Sequence, residues 1–302
     1  MVKSNIASKR KNRIKKPVGD IIADCLNYVL LFLLSLCFVV PFIYVISISF
    51  STEEAIGLYG ITILPKEFTL EAYKYLFRSG GVIIRAYGNT LFITIVTTVL
   101  SILFTGGLAY PLSKELLPFR KGFMYYVLFA MLFGGGMIPT YLVISKLYGM
   151  KNSMWAVILP GAYSAWNMIV MKNFFSRLPN DIEEAALIDG ANELRIFVSI
   201  ILPLSKPIIA TVCLFTAVGQ WNNWFGPLIY LDNTETPTIM LFLRGVISSS
   251  LNIGNQFETT EVPPTQSVQM ATVVACTLPI VCVYPFLQKH FASGVLVGGV
   301  KG

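Results

Sequence analysis

The amino-acid sequence predicts an all-α, polytopic membrane protein with six transmembrane helices. Apolar residues make up 55% of the 302 residues and charged residues only 13%, about half of the roughly 25% that is usual for a soluble domain. Six windows contain no Asp, Glu, Lys or Arg, and each reaches the roughly 20 residues that a membrane-spanning helix needs. They cover residues 25–52, 86–113, 122–145, 152–171, 207–231 and 262–288. Half of the chain is therefore predicted to lie in lipid.

Composition and residue placement exclude several classes of protein. The chain is too apolar to be disordered, and one short basic arm is too little for nucleic-acid binding. Its five cysteines all lie within the apolar windows and form no C-x-x-C pair, which favours buried apolar side chains. The single histidine, His290, is isolated, and no G-x-x-x-x-G-K string occurs. We therefore expect no catalytic residue, no metal site and no nucleotide-binding loop in this chain.

Positive charges predict the orientation of the six helices. Residues 1–20 form a basic arm with seven Lys or Arg residues opposed only by Asp20, and we expect this arm on the cytoplasmic side. If the helices then alternate, 16 basic residues fall in cytoplasmic segments and 7 in external ones, in agreement with the positive-inside rule. The sequence thus predicts a six-helix domain over residues 21–290 and a cytoplasmic tail over residues 291–302, with both termini inside.

The predicted spans are interrupted by prolines and glycines but contain no charge. Gly134-Gly135-Gly136 before Pro139 is the strongest local interruption, and residues 152–171 form the most polar window. Ion-coupled transporters usually place ionisable side chains inside the membrane. The absence of such side chains favours a neutral substrate pathway that is powered from elsewhere. A secondary transporter, which would carry internal repeats, remains as a less favoured alternative.

The loop between the fourth and fifth windows, residues 172–206, has a helical pattern of its own. Good helix-start residues begin at Asn180 and are followed by acidic residues in the first turn, where they favour the helix dipole. Gly190 suits a left-handed helix C-terminus, and a second helix can begin at Asn192. We therefore expect a short exposed helix, a glycine turn and a second helix. The first helix is shaped to dock on a partner protein or, as plausibly, to lie on the membrane surface.

The residues of this loop carry a resemblance to a known family. Glu184-Ala185-Ala186, Gly190, Ile200 and Leu202-Pro203 reproduce the E-A-A-x3-G-x9-I-x-L-P loop of ABC-importer permeases. Together with Trp221-Asn222-Asn223-Trp224 and the C-terminal Gly-Val-Lys-Gly, the loop is similar to the carbohydrate-uptake (MalG-like) branch of these binding-protein-dependent permeases. Residues 134–140 further resemble the branch for oligosaccharides derived from polysaccharides. The resemblance extends from about residue 25 to residue 302.

This resemblance implies a type I ABC importer permease of the MetI-like fold in a bacterial cytoplasmic membrane. Such a subunit is not an enzyme and holds no cofactor, because ATP and Mg²⁺ bind to separate ATPase subunits. The implied partners are a second homologous permease, two ATPase subunits, an extracytoplasmic solute-binding protein, an oligosaccharide substrate and the lipid bilayer. A permease for another solute, such as an amino acid or a peptide, is the alternative that the E-A-A loop alone would permit.

The resemblance also assigns roles to individual residues. It implies ATPase coupling at Glu184, Ala185, Ala186, Asp189, Gly190 and Ala191. The external loop 232–261 would reach toward the binding protein, and Lys301 in the tail could contact the ATPases. Sugar pockets need aromatic faces with amide or hydroxyl partners, and the candidates for a substrate pathway are Asn89, Asn167, Gln220, Trp221, Asn222 and Trp224. For any one of these the ordinary role is a hydrogen bond between helices, and in some relatives only the partner permease contacts sugar.

Overall fold

The computed structural model describes residues 18–78, 81–232, 234–250 and 265–299. Residues 1–17 of the predicted basic arm, residues 251–264 of the predicted external loop and Lys301 of the tail lie outside these ranges. The described chain is built from helices, which are α1 (Val18–Ser49), α2 (Glu53–Tyr59), α3 (Glu71–Arg78), α4 (Val82–Ser113), α5 (Arg120–Leu132), α6 (Met137–Leu142), α7 (Trp155–Gly161), α8 (Ala165–Phe175), α9 (Asn180–Ile188), α10 (Glu193–Ile196), α11 (Leu202–Leu204), α12 (Lys206–Trp221), α13 (Phe225–Tyr230), α14 (Ile239–Ser250) and α15 (Gln266–Gly299). There are also two π-helical turns in the described chain. Val143–Leu147 continues α6, and Phe197–Ile201 joins α10 to α11.

Three of these helices, α1, α4 and α15, are each long and apolar enough to cross a membrane. Two further candidates are bent. Helix α5 meets α6 and its π-helical turn at 105°, and the segment from α10 to α11 meets α12 at 83°. By length and composition, the described residues therefore provide three candidate spans, or up to five if each bent pair is one span.

Glycine and proline account for the bends. Between α5 and α6 the chain runs through the predicted glycine interruption, and Gly136 has a φ of +84° that residues with a Cβ rarely adopt. Before α12, Ser205 lies between Pro203 and Pro207, and proline cannot donate the backbone hydrogen bond that would continue a helix. The interruption predicted in the third window is thus a real change of direction, and a second change of direction, which was not predicted, lies at the start of the fifth.

The fourth predicted span, residues 152–171, is two short helices and not one continuous helix. Helix α7 has 7 residues and α8 has 11. Pro160 and Gly161 end α7, and Ser164 has an extended backbone (φ −135°, ψ 119°) before α8 begins. The window predicted as the fourth span is therefore divided at Pro160-Gly161, because proline and glycine disfavour a helix interior.

Helix α4 is the central element of the described fold. It packs against α7, α8, α12 and α14. Gly106 allows one of these close approaches, because a Cβ atom at this position would lie 3.4 Å from both Met171 Cε and Phe197 Cζ. Motion of α4 must therefore be shared with the helices that surround it.

Helix α1 has the opposite character, because most of its side chains are exposed and only its C-terminal end is buried. It contacts α15, but its most apolar stretch contains no residue buried inside the chain. Three cysteines, Cys25, Cys37 and Cys282, are exposed on α1 and α15, whereas Cys276 is buried. The prediction of buried cysteines is wrong for those three, since helices that cross lipid turn apolar side chains outward.

Candidate functional site: an exposed helix and a polar cleft

Helix α9 and the turn after it form as the loop sequence predicts. Helix α9 begins after Pro179, whose backbone is extended, and ends before Gly190, whose φ is +80°. The Gly190 N–H donates to the carbonyl oxygen of Leu187 at 3.0 Å, which satisfies one of the last carbonyls of the helix. The left-handed residue turns the chain from α9 into α10.

The two faces of α9 differ. Glu183 is half-buried and Ala186 is buried against the rest of the protein. On the opposite face Glu184 and Ala185 are exposed, and Ile188 is 86% exposed. Four of the six positions assigned to ATPase coupling lie on the exposed surface: Glu184, Ala185, Asp189 and Gly190. Of the other two, Ala191 is half-buried and Ala186 is buried.

The inner face of this loop is anchored on the spans. Ala186 from α9 and Ile196 from α10 belong to one hydrophobic cluster that also draws buried side chains from α4, α5, α8, α12 and the π-helical turn before α11. The other members are Ala109, Tyr110, Leu112, Val127, Met168, Met171, Phe175, Ile201, Ile208 and Val212. The inner face of the loop is therefore packed on the helical bundle, and its other face is left open.

A polar cleft of about 480 Å³ lies at the break between α7 and α8, where it faces α12. Its floor contains amide and hydroxyl groups. The Asn167 amide nitrogen donates to Thr216 Oγ1 at 3.5 Å, and Gln220 Oε1 accepts from the Asn223 amide at 3.3 Å. The lining residues are Gly161, Ser164, Trp166, Asn167, Phe215, Thr216, Gly219 and Gln220.

Two aromatic side chains flank this floor. Trp166 is 61% exposed and Phe215 is 43% exposed. Aromatic faces beside uncharged hydrogen-bonding groups are the chemistry that a sugar ring needs from a binding site. The sequence prediction did not include Trp166 or Phe215, although the Trp166-Asn167 pair is a signal that could have been used.

The cleft brings together two of the six predicted substrate-pathway residues, Asn167 and Gln220. Of the other four, Asn89 donates through its amide to the Pro237 carbonyl at 2.9 Å, and buried Trp221 donates through Nε1 to the Cys276 carbonyl at 3.0 Å. Asn222 donates to the carbonyl of Val218, in its own helix. In each of these three hydrogen bonds the side chain donates to a backbone carbonyl, and none of the three residues lines the cleft.

Trp224, the sixth residue, lies beyond the cleft beside α14. Its ring centre is 3.8 Å from the guanidinium carbon of Arg244. Asn223 connects this pair to the cleft, because its amide donates to Gln220 while its Oδ1 accepts from the Gly226 N–H at 3.0 Å. An exposed arginine of α14 therefore stacks on Trp224, four residues after the cleft residue Gln220.

The residues predicted as an external loop, 232–261, contain helix α14. Its Ile239, Phe242 and Val246 are buried in a cluster with Trp221 and residues of α4 and α15. Before it, the Thr234 hydroxyl donates to Asp232 Oδ1 at 2.6 Å, and the hydrogen bonds from Thr234 hold the pKa of the Asp232 carboxyl below its usual value. The described part of this segment is thus held by packing against Trp221, α4 and α15 and by its own turn at Asp232.

Gly161 gives a direct test of the cleft. A Cβ atom there would overlap the Gln220 amide, and would lie 3.0 Å from Gln220 Cδ and 3.1 Å from Thr97 Cγ2. Gly161→Ala should therefore displace the Gln220 amide from its place in the cleft and lower uptake about fivefold, since one lost hydrogen bond to substrate costs about 0.5–1.5 kcal/mol. Gly107→Ala, at an exposed position of α4 outside the cleft lining, is the matched control, because a Cβ atom there meets nothing within 4 Å. Equal uptake by the two variants, at equal amounts in the membrane, would contradict the assignment of Gln220 to the pathway.

Comparison with protein families identifies the chain. The model of the family described as "binding-protein-dependent transport system inner membrane component" matches residues 7–297. The chain belongs to this family. The permease predicted from the E-A-A loop is thereby confirmed, and with it the cytoplasmic membrane as its location. As a permease subunit the chain is non-catalytic, and ATP hydrolysis takes place in separate ATPase subunits.

Individual relatives agree with the family. The chain is 47% identical to Protein LplC of Bacillus subtilis (strain 168) over 266 residues, which is 87% of this chain and 90% of LplC. It is 43% identical to the polygalacturonan/rhamnogalacturonan transport system permease protein YtcP of the same organism over 284 residues, 92% of this chain and 98% of YtcP. A crystal structure of a bacterial ABC transporter involved in the import of the acidic polysaccharide alginate matches with a TM-score of 0.82 and 32% identity, over 91% of this chain and 99% of that chain. The MetI-like ABC permease fold is therefore confirmed.

Proposed function

We propose that the chain forms half of the pore of an oligosaccharide importer and couples to an ATPase through α9 and the turn after it. The exposed apolar face of α9 carries this proposal. The adjacent Leu187 and Ile188 are 48% and 86% exposed on a helix whose other face packs on the spans, and neighbouring exposed apolar side chains rimmed by polar residues mark interaction surfaces. Glu184 and Asp189 supply the polar neighbours, Ala185 allows close approach, and Gly190 with Ala191 turns the chain.

The proposed complex contains a second homologous permease, two ATPase subunits and an extracytoplasmic binding protein. The unpacked α1 supports a second permease, because its apolar surface is left open for lipid or another subunit. We place both termini and α9 on the cytoplasmic side, which the distribution of 16 and 7 basic residues supports. The segment 232–261 then lies outside, where it can meet the binding protein.

The substrate that we propose is an oligosaccharide with uronic acid residues. The relative YtcP is named for polygalacturonan, and the structural neighbour imports the acidic polysaccharide alginate. In the cleft, Trp166 and Phe215 would stack on the sugar rings, while Asn167 and Gln220 would bond their hydroxyl groups. The cleft lining carries no charged side chain, so a group outside it has to recognise the carboxylates.

Arg244 is that group. Its guanidinium lies on the Trp224 ring, and the side chain is exposed. A guanidinium binds a carboxylate through two parallel hydrogen bonds, and stacking on an aromatic face holds it in place for that contact. A uronate leaving or entering the cleft along residues 220–224 would therefore meet a preoriented cation.

We expect Arg244→Gln to lower ATP-dependent uptake of trigalacturonate into proteoliposomes about tenfold, the effect of losing one charge-assisted hydrogen-bonded pair. The importer would be reconstituted with its ATPase and binding protein. Uptake of fully methyl-esterified trigalacturonate, which has the same backbone without the charge, should be unaffected by the substitution. Arg78→Gln, at an exposed arginine ending α3, is the matched control and should behave as wild type.

Two results would contradict these proposals in different ways. Equal loss of both sugars in Arg244→Gln would show that the arginine does not read the carboxylate. A wild-type complex whose ATP hydrolysis is not stimulated by any sugar-loaded binding protein would contradict the importer function itself.

A further inference from the structure

A group of polar side chains connects the end of α4 to both arms of the loop that contains α9. Lys114, directly after α4, forms an ion pair with Glu183 on the inner face of α9. Its ammonium nitrogen lies 4.5 Å from the centre of the Tyr110 ring, and the Tyr110 hydroxyl donates to Glu193 Oε2 at 3.1 Å. Glu183 precedes the Gly190 turn and Glu193 follows it. We call these four residues, Tyr110, Lys114, Glu183 and Glu193, the Lys114 clamp.

The clamp is partly removed from water. The side chains of Lys114 and Glu183 are 28% and 15% exposed, and Tyr110 is buried. Burial lowers the pKa of the Lys114 amine, and the Glu193 carboxylate acts in the opposite direction. An ion pair in such a place is screened by salt less than a surface pair, and loss of one partner leaves the other charge poorly solvated.

The hydrophobic cluster below α9 does not by itself fix the direction in which α9 moves. Apolar contacts are non-directional, so a helix resting on them can slide. The ion pair and the hydrogen bond are directional, and they hold the chain on both sides of the turn to a single turn of α4. Helix α4 in turn packs against α7, α8 and α12, which line the cleft.

We propose that Lys114 is a positioning residue that makes α9 and α4 move as one body when a partner displaces α9. This role rests on the proposed function, in which the partner is an ATPase. Displacement of the exposed face of α9 is then passed through the Lys114 clamp to α4, and from α4 to the helices around the cleft. The two adjacent glutamates have different roles in this proposal. Glu184 contacts the partner, and Glu183 holds α9 to α4 through its ion pair with Lys114.

Charge exchange tests this proposal in the reconstituted importer. Lys114→Glu places a third carboxylate beside Glu183 and Glu193. It should lower uptake and binding-protein-stimulated ATP hydrolysis about tenfold. The amount of permease, co-purification of the ATPase and basal ATP hydrolysis should stay within about twofold of wild type. The double variant Lys114→Glu/Glu183→Lys restores the pair in reverse and should recover at least about a third of the lost stimulation. Lys114→Gln, which adds no repulsion, provides the same comparison if Lys114→Glu does not accumulate, with an expected loss of about threefold.

Lys121→Glu is the matched control. Lys121 is exposed in the first turn of α5, shortly after Lys114 in the chain, and its substitution makes the same change of charge. It should remain coupled. The positioning role is overturned, and the proposed function stands, if the binding protein stimulates ATP hydrolysis in Lys114→Glu or Lys114→Gln as it does in wild type. The same conclusion follows if the loss of stimulation parallels a loss of ATPase co-purification and the double variant gives no rescue. If the wild-type complex shows no stimulation by the binding protein, the proposed function and the positioning role fall together.

Discussion

Replacement of Gly190 by proline should abolish uptake while the permease still accumulates in the membrane. Gly190 has a φ of +80°, whereas proline fixes φ near −65° and has no N–H. The substitution therefore forbids the turn and removes the hydrogen bond to Leu187. Because the turn sets the direction of α9 relative to α10, we expect uptake and stimulated ATP hydrolysis to fall more than about tenfold, as a strain above 1–3 kcal/mol implies.

A graded series at the same position separates backbone strain from side-chain size. A Cβ atom at Gly190 meets nothing within 4 Å in this chain, so within the permease itself any loss comes from the backbone conformation. Asparagine tolerates the left-handed region better than most residues, and Gly190→Asn should keep most of the uptake. Gly190→Ala should lie between asparagine and proline, since the left-handed conformation costs it about 1–2 kcal/mol. Wild-type uptake in all three variants would mean that the turn is not needed for coupling.

Replacement of Ile188 by aspartate should separate the permease from its ATPase. In the proposed complex this 86% exposed side chain becomes buried in the partner, and burial of an unpaired carboxylate is strongly unfavourable. The aspartate would also lie at the C-terminus of α9, where a negative charge opposes the helix dipole. We expect co-purification of the ATPase to fall at least about tenfold, because a buried side chain of this size contributes about 1.5–3 kcal/mol.

The conservative change at this position is the control. Ile188→Leu keeps an apolar side chain of the same volume and should retain the ATPase. Because Ile188 makes little contact within the chain, the stability of the solubilised permease should differ between the two variants only by the helix-dipole effect of the aspartate, at most about 1 kcal/mol. Full retention of the ATPase by Ile188→Asp would remove α9 from the docking surface.

Local signals made the loop predictable, and their absence hid much of the cleft. The helix start, the glycine turn and the E-A-A string all lie within residues 179–203, so their geometry follows from neighbouring residues. The Lys114–Glu183 pair and the shared cleft lining of Trp166 and Phe215 bring together distant parts of the chain, and no spacing rule relates such positions. Trp221 shows the same limit in reverse: an indole in the predicted pathway packs against α15 instead, because its N–H finds the Cys276 carbonyl.

The windows without charge predicted where the chain meets lipid but not where a helix breaks. Their lengths are compatible with straight spans, and only the prolines and glycines within them indicated otherwise. In the fourth window Pro160 and Gly161 divide the helix completely, because the cleft beside them and the packing against α4 accept the interruption. Single-chain composition cannot distinguish a bend that tertiary contacts support from one that merely weakens a helix.

The division of the fourth span has a consequence for biosynthesis. At 1.5 Å per residue, α7 and α8 are about 10 Å and 16 Å long, so neither reaches across the roughly 30 Å of hydrocarbon alone. The backbone groups freed at the break would be costly in contact with lipid tails. This stretch is therefore a poor independent signal for insertion, and it has to enter the bilayer against a surface that already exists. Helix α4, made earlier and packed against both halves, is that surface, so the order of synthesis is part of how this protein reaches its native state.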